Sequence, residues 1–381
     1  MNQLQGVSKI KKERLVLAVT NDLVTDNRVH KIATTLMVMG FDVTLVGRLL
    51  PNHLALAPRK YTTHRFNLWF NKGPLFYANY NISLFFYLIY KNFDVVVSND
   101  LDTLSSCFSA TKITKKPLVY DSHEFFTEVP ELVHRPWIKC IWEKIEEAIL
   151  PKLKHCYTVC NSIASIYNSK YGTNFQVIRN LPNLKSNNTD SDYQPPFPTD
   201  LPVILYQGAI NYGRGIQEAI LAMHQIRDAR LVIVGTGDEM NEIQLLVKHE
   251  KLEQKIVITG RVSLEELQRI TPFATIGLTV EKDIGLNYRY ALPNKLFDYI
   301  QAEIPVLASE LPEIKAIVDQ YRIGKTIQST TPSQIADGVN DMLSSPVLLD
   351  KWKQNCIIAA KELCWEEEEK NLIQIYQSLM F

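Results

Sequence analysis

Two cations hold matching places in the second half of the chain. Arg214 closes the glycine-rich run GAINYGRG after an apolar stretch, and Lys295 lies in the first turn of the helical segment PNKLFDYI. A cation there faces the positive end of a helix dipole, at a cost of about 0.3 kcal/mol or more, so each asks for an anion. Two of them, each beyond a strand and beside free helix N–H groups, suit a diphosphate. Gly208 and Gly213 would let the backbone approach such a ligand, and Pro293 and Asn294 open the second helix. Asp298, one turn past Lys295, can accept hydrogen bonds from two neighbouring ribose hydroxyls. Arg261 and Val262 fall in the turn of ITGRVSLEEL, where backbone groups could meet a base edge, and Ser263 reads as the cap of the next helix.

The first half offers fewer signals. YDSHEFFTE (120–128) follows a strand, so His123 and Glu124 could touch a substrate, and Asp26, Arg28 and His30 lie just after the first strand. Asp100-x-Asp102 also follows a strand and reads as a helix-capping pair rather than a metal site; no other cluster suggests a metal. VGTGDE (234–239) lacks the third glycine of a dinucleotide loop and reads as a strand-to-helix turn.

Short apolar runs alternate with helical patterns along the whole chain. They are RLVLAVT, DVTLVG, DVVVS, PLVYD and CYTVC, then PVILYQG, ARLVIVG, KIVITG, TIGLTV, PVLAS and GKTIQ. Such runs predict parallel sheets covered on both faces, an α/β fold with two doubly wound domains. Ligands in these sheets bind beyond the carboxyl ends of the strands, where the residues above lie. The Asn-, Asp-, Ser- and Pro-rich segment 184–200 reads as the linker, giving domains 1–190 and 191–381.

With 46% hydrophobic and 22% charged residues the chain is globular, and its six cysteines form no CxxC pair, as suits a reducing compartment. The N-terminus reads as neither a secretory signal nor an anchor, and the uncharged stretch 73–90 as a buried or surface-docked helix. The formal charge of zero hides an asymmetry. Residues 1–190 carry eight more Lys and Arg than Asp and Glu, and residues 191–381 eight fewer. Together with the aromatics from Phe66 to Tyr90, a basic first half suits an anionic lipid surface. No nucleic-acid motif accompanies it.

Together these segments resemble the family 4 glycosyltransferases of the GT-B fold over most of the chain. NDLVTDNRVHKIATTLMVMGFDVTLVG is similar to the family's opening strand–loop–helix–strand and YDSHEFFTE to its acceptor-side histidine segment. YQGAINYGRGIQEAI resembles its first phosphate loop and ALPNKLFDYIQAEIPVLAS its donor signature. The resemblance implies two Rossmann-like domains facing a central cleft, the first for the acceptor and the second for a nucleotide-sugar donor. It implies a catalytic His123, a diphosphate held by Arg214 and Lys295, and a ribose held by Asp298. The nucleotide-diphosphate sugar is then the co-substrate, with no further cofactor and no metal, and transfer retains the anomeric configuration. Two positions depart from the pattern: the first signature glutamate falls on Tyr290, and the usual arginine after Gly208 is Ala209.

The expected protein is a cytoplasmic transferase, peripheral on the inner face of the plasma membrane, that assembles surface polysaccharide or glycoconjugate on a glycan or lipid-linked acceptor. Two alternatives are a non-hydrolysing sugar-nucleotide 2-epimerase of the same fold and an inactive sugar-nucleotide-binding protein.

Overall fold

The structure, a computed structural model, describes residues 12–51, 55–133, 135–185 and 192–379. They form two compact units. The first unit holds the described residues up to Val159, Ile163–Ile178 and those from Glu369 onward; the second holds Cys160–Ser162 and Arg179–Glu368. The expected boundary at 190/191 lies outside the described residues, as does part of the expected linker. The units divide instead at Ile178/Arg179, and a C-terminal segment returns to the first. That return is carried by side-chain contacts between residues more than 300 positions apart. The Thr35 hydroxyl donates to Glu369 at 2.7 Å, and Tyr376 packs edge-on against Phe41 at 6.2 Å between ring centres.

The first unit is built on seven parallel strands: β1 (Arg14–Ala18), β2 (Asp42–Leu49), β3 (Thr62–Asn67), β4 (Val95–Asn99), β5 (Leu118–Ser122), β6 (His155–Thr158) and β7 (Phe175–Val177). Their order is β3-β2-β1-β4-β5-β6-β7. The second unit has six parallel strands: β8 (Val203–Gln207), β9 (Arg230–Val234), β10 (Ile256–Gly260), β11 (Ile276–Thr279), β12 (Val306–Ser309) and β13 (Gly324–Ile327). Their order is β10-β9-β8-β11-β12-β13.

Both sheets are doubly wound, as the apolar runs predict. Ile204 and Tyr206 of β8 bury one face beside Ile216 and Ile335, while Val203 and Leu205 bury the other beside Phe297 and Ile314. This alternation is the period-2 geometry of a strand covered on both sides. Chain order reverses between β1 and β4 in the first sheet and between β8 and β11 in the second. Such a reversal leaves a crevice at the carboxyl ends of the two flanking strands, where α/β folds place ligands.

Candidate functional site

At the reversal in the second sheet, β8 runs into the loop 208–215. Gly215 has φ +71°, and a Cβ there would stand 2.1 Å from the Val280 carbonyl oxygen, so only glycine fits. Gly235 of the expected strand-to-helix turn has φ +151° and would meet the Gly208 oxygen at 1.8 Å. The GTG segment thus packs backbone to backbone against the first loop. On the other side, the Lys282 amide donates to Gly213 O at 2.8 Å and the Tyr288 hydroxyl to Tyr212 O at 2.6 Å.

This fixed loop brings Arg214 and Lys295 together. Both point at one carboxylate that the sequence reading missed, Glu281, two residues past the end of β11. Lys295 Nζ donates to Glu281 Oε1 at 2.8 Å, and Arg214 Nη1 stands 3.8 Å from the same oxygen. Thr279 Oγ1 donates to the other oxygen at 2.8 Å. Glu281 is fully buried. Burial opposes its charge, yet Lys295 and Arg214 hold its pKa below the usual carboxylate range. Lys295 keeps only 8% of its side chain exposed and lies 4.0 Å above the Tyr206 ring. The anion demanded by its place in a first helical turn is therefore supplied internally. Arg214 stacks 5.1 Å from the Tyr288 ring, and its buried Nε meets no acceptor among the described residues.

The helix Asn294–Gln301 that carries Lys295 is pinned to β8 through Tyr299. Its hydroxyl donates to Leu205 O at 2.9 Å and accepts from the Gln207 amide at 3.2 Å, and its ring lies over Gly277, where a Cβ would come within 2.5 Å. Pro293 takes the cap position rather than the first helical one, and Asn294 Oδ1 accepts from Asn180 Nδ2 at 3.1 Å. Three residues past Lys295, Asp298 accepts from Gln207 Nε2 at 3.1 Å, while Gln207 Oε1 accepts from the Thr271 hydroxyl at 2.9 Å. Gln207, Thr271 and Asp298 stand at a cavity of about 860 Å³ that Tyr193 and Gln301 also line. Arg214 and Lys295 are not among its lining residues. Arg261 is exposed in the turn after β10, Val262 packs partly on the core, and Ser263 Oγ caps the next helix by accepting from Glu266 N at 3.1 Å.

The reversal in the first sheet gathers a second group. His123, just past β5, donates from Nδ1 to Asp100 at 3.2 Å and from Nε2 to Asp121 at 3.1 Å. Arg28 pairs with Asp121 at 2.8 Å and donates to Ile178 O at 2.8 Å. Burial opposes the charge on His123, but Asp100 and Asp121 outweigh it and raise its pKa to about 9. With both ring nitrogens donating, His123 is an imidazolium and has no free lone pair to act as a base. Burial pushes Asp100 up to about 6, against the pull of His123. Asp102 is likewise pushed up to about 6 by burial, opposed by the Thr20 hydroxyl that donates to it at 2.5 Å.

The capping reading of Asp100-x-Asp102 is corrected here. Asp100 stands immediately before the helix Leu101–Thr114, yet its carboxylate makes no cap. It accepts instead from the His123 amide at 2.7 Å. Its backbone, at φ +60° and ψ 169°, lies in a region otherwise left to glycine, a strain of about 1–3 kcal/mol of the kind found at functional sites. Asp26 is a true cap, accepting from Val29 N at 3.0 Å, and His30 bonds the Tyr61 hydroxyl at 2.7 Å.

Two doubly wound sheets, each with charged side chains gathered at its reversal, define the GT-B class. The family comparisons agree. Residues 26–184 match the model described as Glycosyltransferase Family 4, and residues 187–359 match that of Glycosyl transferases group 1. The chain belongs to this glycosyltransferase family. An uncharacterized glycosyltransferase of Methanocaldococcus jannaschii is 24% identical over 190 residues, which are 48% of this chain and 46% of that one. The match therefore spans about half of that relative's length. Among solved structures, sucrose-phosphate synthase from Thermosynechococcus elongatus superposes with a TM-score of 0.80 at 18% identity, covering 97% of this chain and 99% of that one. Anabaena HepE in complex with UDP and glucose gives 0.74 at 12% identity, covering 96% and 100%. At these identities the likeness is one of fold.

Proposed function

We propose that this protein transfers a sugar from a nucleotide-diphosphate sugar to a glycan or lipid-linked acceptor, with retention of configuration and without a metal ion. The observation that carries the reading is the convergence of Arg214 and Lys295 at the reversal of the second sheet. Two cations fixed by Glu281, Tyr206 and Tyr288, with Arg214 Nε lacking an acceptor among the described residues, are preorganised for a second, larger anion. On this reading a diphosphate leaving group gains negative charge as the glycosidic bond breaks, and fixed positive charge lowers that barrier. The departing phosphate takes the acceptor proton, since His123 is already protonated. Asp298, held by Gln207, would receive the ribose hydroxyls.

Tyr290 in place of the first signature glutamate favours a second reading, in which the protein binds a sugar nucleotide without turning it over. Thermal shift against UDP, GDP, ADP and their sugars, followed by a donor-hydrolysis assay, tests both. A ligand at a hundredfold its Kd should add about 2.7 kcal/mol of stability. Slow release of nucleoside diphosphate would then support the transferase, and binding without release the inactive protein. No shift with any nucleotide would remove both readings.

A further inference from the structure

The helix Gly73–Tyr90 has no charged residue in its 18 positions. Phe76, Tyr80, Leu84 and Leu88 recur every four residues and bury one side of it, with the Tyr80 hydroxyl donating to Val19 O. On the solvent side, where an ordinary surface helix carries charge, stand Leu75, Ile82, Phe86 and Tyr90, exposed by 58, 57, 51 and 83%. Asn79 adds a second apolar element to the same helix. Its side-chain oxygen accepts from the amides of Trp69 and Phe70 at 3.0 and 3.4 Å, leaving the Trp69 side chain 89% exposed. Exposed Lys72 and Lys91 mark the two ends of the helix as its N- and C-caps. From Val43 to Phe93 there is no Asp or Glu at all, while Arg48, Arg59, Lys60 and Arg65 accompany the two lysines.

We propose that this stripe is a docking face for an anionic lipid bilayer. Leu75, Ile82 and Phe86 would enter the acyl boundary, and Trp69 and Tyr90 would lie at the headgroup level that amphipathic rings prefer. Lys72 and Lys91 would meet lipid phosphates at either end. The helix would lie flat, since no described helix is long and apolar enough to cross a membrane. A second copy of the chain would also cover apolar residues, but pairing this stretch with itself sets cation against cation with no carboxylate between Asp42 and Asp94 to balance them. The charge therefore selects an anionic partner. The inference rests on this face alone and stands apart from sugar transfer.

Cosedimentation of the full chain with neutral phosphatidylcholine vesicles and with phosphatidylglycerol-containing ones, at low and high salt, tests it. The intact protein should pellet with anionic vesicles at low salt, and the double variants Phe86→Ser/Tyr90→Ser and Lys72→Glu/Lys91→Glu should each bind at least about tenfold less. All four side chains are exposed, so melting temperature and nucleotide binding should stay unchanged, which separates this outcome from a failure of the donor site. Equal binding by the intact protein and both variants would overturn the proposal, as would no preference for anionic vesicles. A dimer without vesicle binding that becomes a monomer on Phe86→Ser/Tyr90→Ser would assign the stripe to a second copy and overturn it too.

Discussion

Glu281 decides the behaviour of the two cations beside it. Breaking a buried pair by removing one partner leaves an uncompensated charge, at a cost of about 3–5 kcal/mol. Glu281→Gln should therefore lower the melting temperature while strengthening nucleoside-diphosphate binding, because Lys295 and Arg214 lose their internal anion. Lys295→Ala or Arg214→Ala should instead weaken binding by about 1.5–3 kcal/mol, the range for a charge-assisted hydrogen bond. Titration calorimetry on the three variants checks this, and unchanged affinity in all of them would move the diphosphate elsewhere. At His123 the pH dependence has a definite sign. Its pKa is raised from 6.5 to about 9, so the stability it contributes is complete below pH 6.5 and is lost as pH rises towards 9. Asp100, raised from 3.8 to about 6, acts in the same direction in that lower window. Urea unfolding between pH 6.5 and 9 should show the decline, and His123→Gln should flatten it. Asp100 and Asp102 are engaged by His123 and Thr20, so transferase activity should survive EDTA. Activity lost to the chelator and restored by magnesium or manganese would contradict that. Arg214 and Lys295 were legible because glycine spacing and a helix start are local patterns. Glu281 was not, since its meaning depends on β11 lying beside β8, and only its place past a strand end marked it for attention.

The helix Asn294–Gln301 owes its place to one hydroxyl as much as to its apolar face. Tyr299→Phe removes the bond to Leu205 O and leaves the Gln207 amide without its side-chain acceptor, a loss of about 1–3 kcal/mol where the partner is buried. Because Lys295 and Asp298 ride on this helix, nucleotide affinity should fall along with the melting temperature. A variant that loses stability but keeps full affinity would show that the helix is held by packing alone. The same scale shows which elements a sequence announces. Every run read as a strand became one, whereas β3 and β7 went unannounced. The strand TTHRFN is half exposed and has no apolar run, and FQV is three residues long at the sheet edge. An edge strand buries too little to leave a pattern.

For the whole molecule, alternation of apolar runs and helices was enough to give two parallel sheets, because a strand covered on both faces must be apolar throughout. The return of the chain to the first unit was not legible. Leu372, Ile375 and Tyr376 are buried in the helix Trp365–Gln377, whose first turn carries three glutamates and reads as solvent-exposed, and Leu379 just past its end is buried too. Burying each is worth about 1.5–3 kcal/mol, so deleting residues 369–381 should lower the transition of the first unit in scanning calorimetry by many degrees. The transition of the second unit should move little, and a first unit unchanged by the deletion would contradict its described core.

That return also sets a timetable for biogenesis. A nascent chain leaves the ribosome from its N-terminus, and domains tend to fold in that order. Here the first sheet is made first, yet the side chain that packs against Phe41 comes from Tyr376, after the whole second unit. At about 5–20 residues per second the wait is on the order of 10–40 s. Throughout that interval the first unit carries an uncovered apolar seam, so the half translated earliest is the half that matures last.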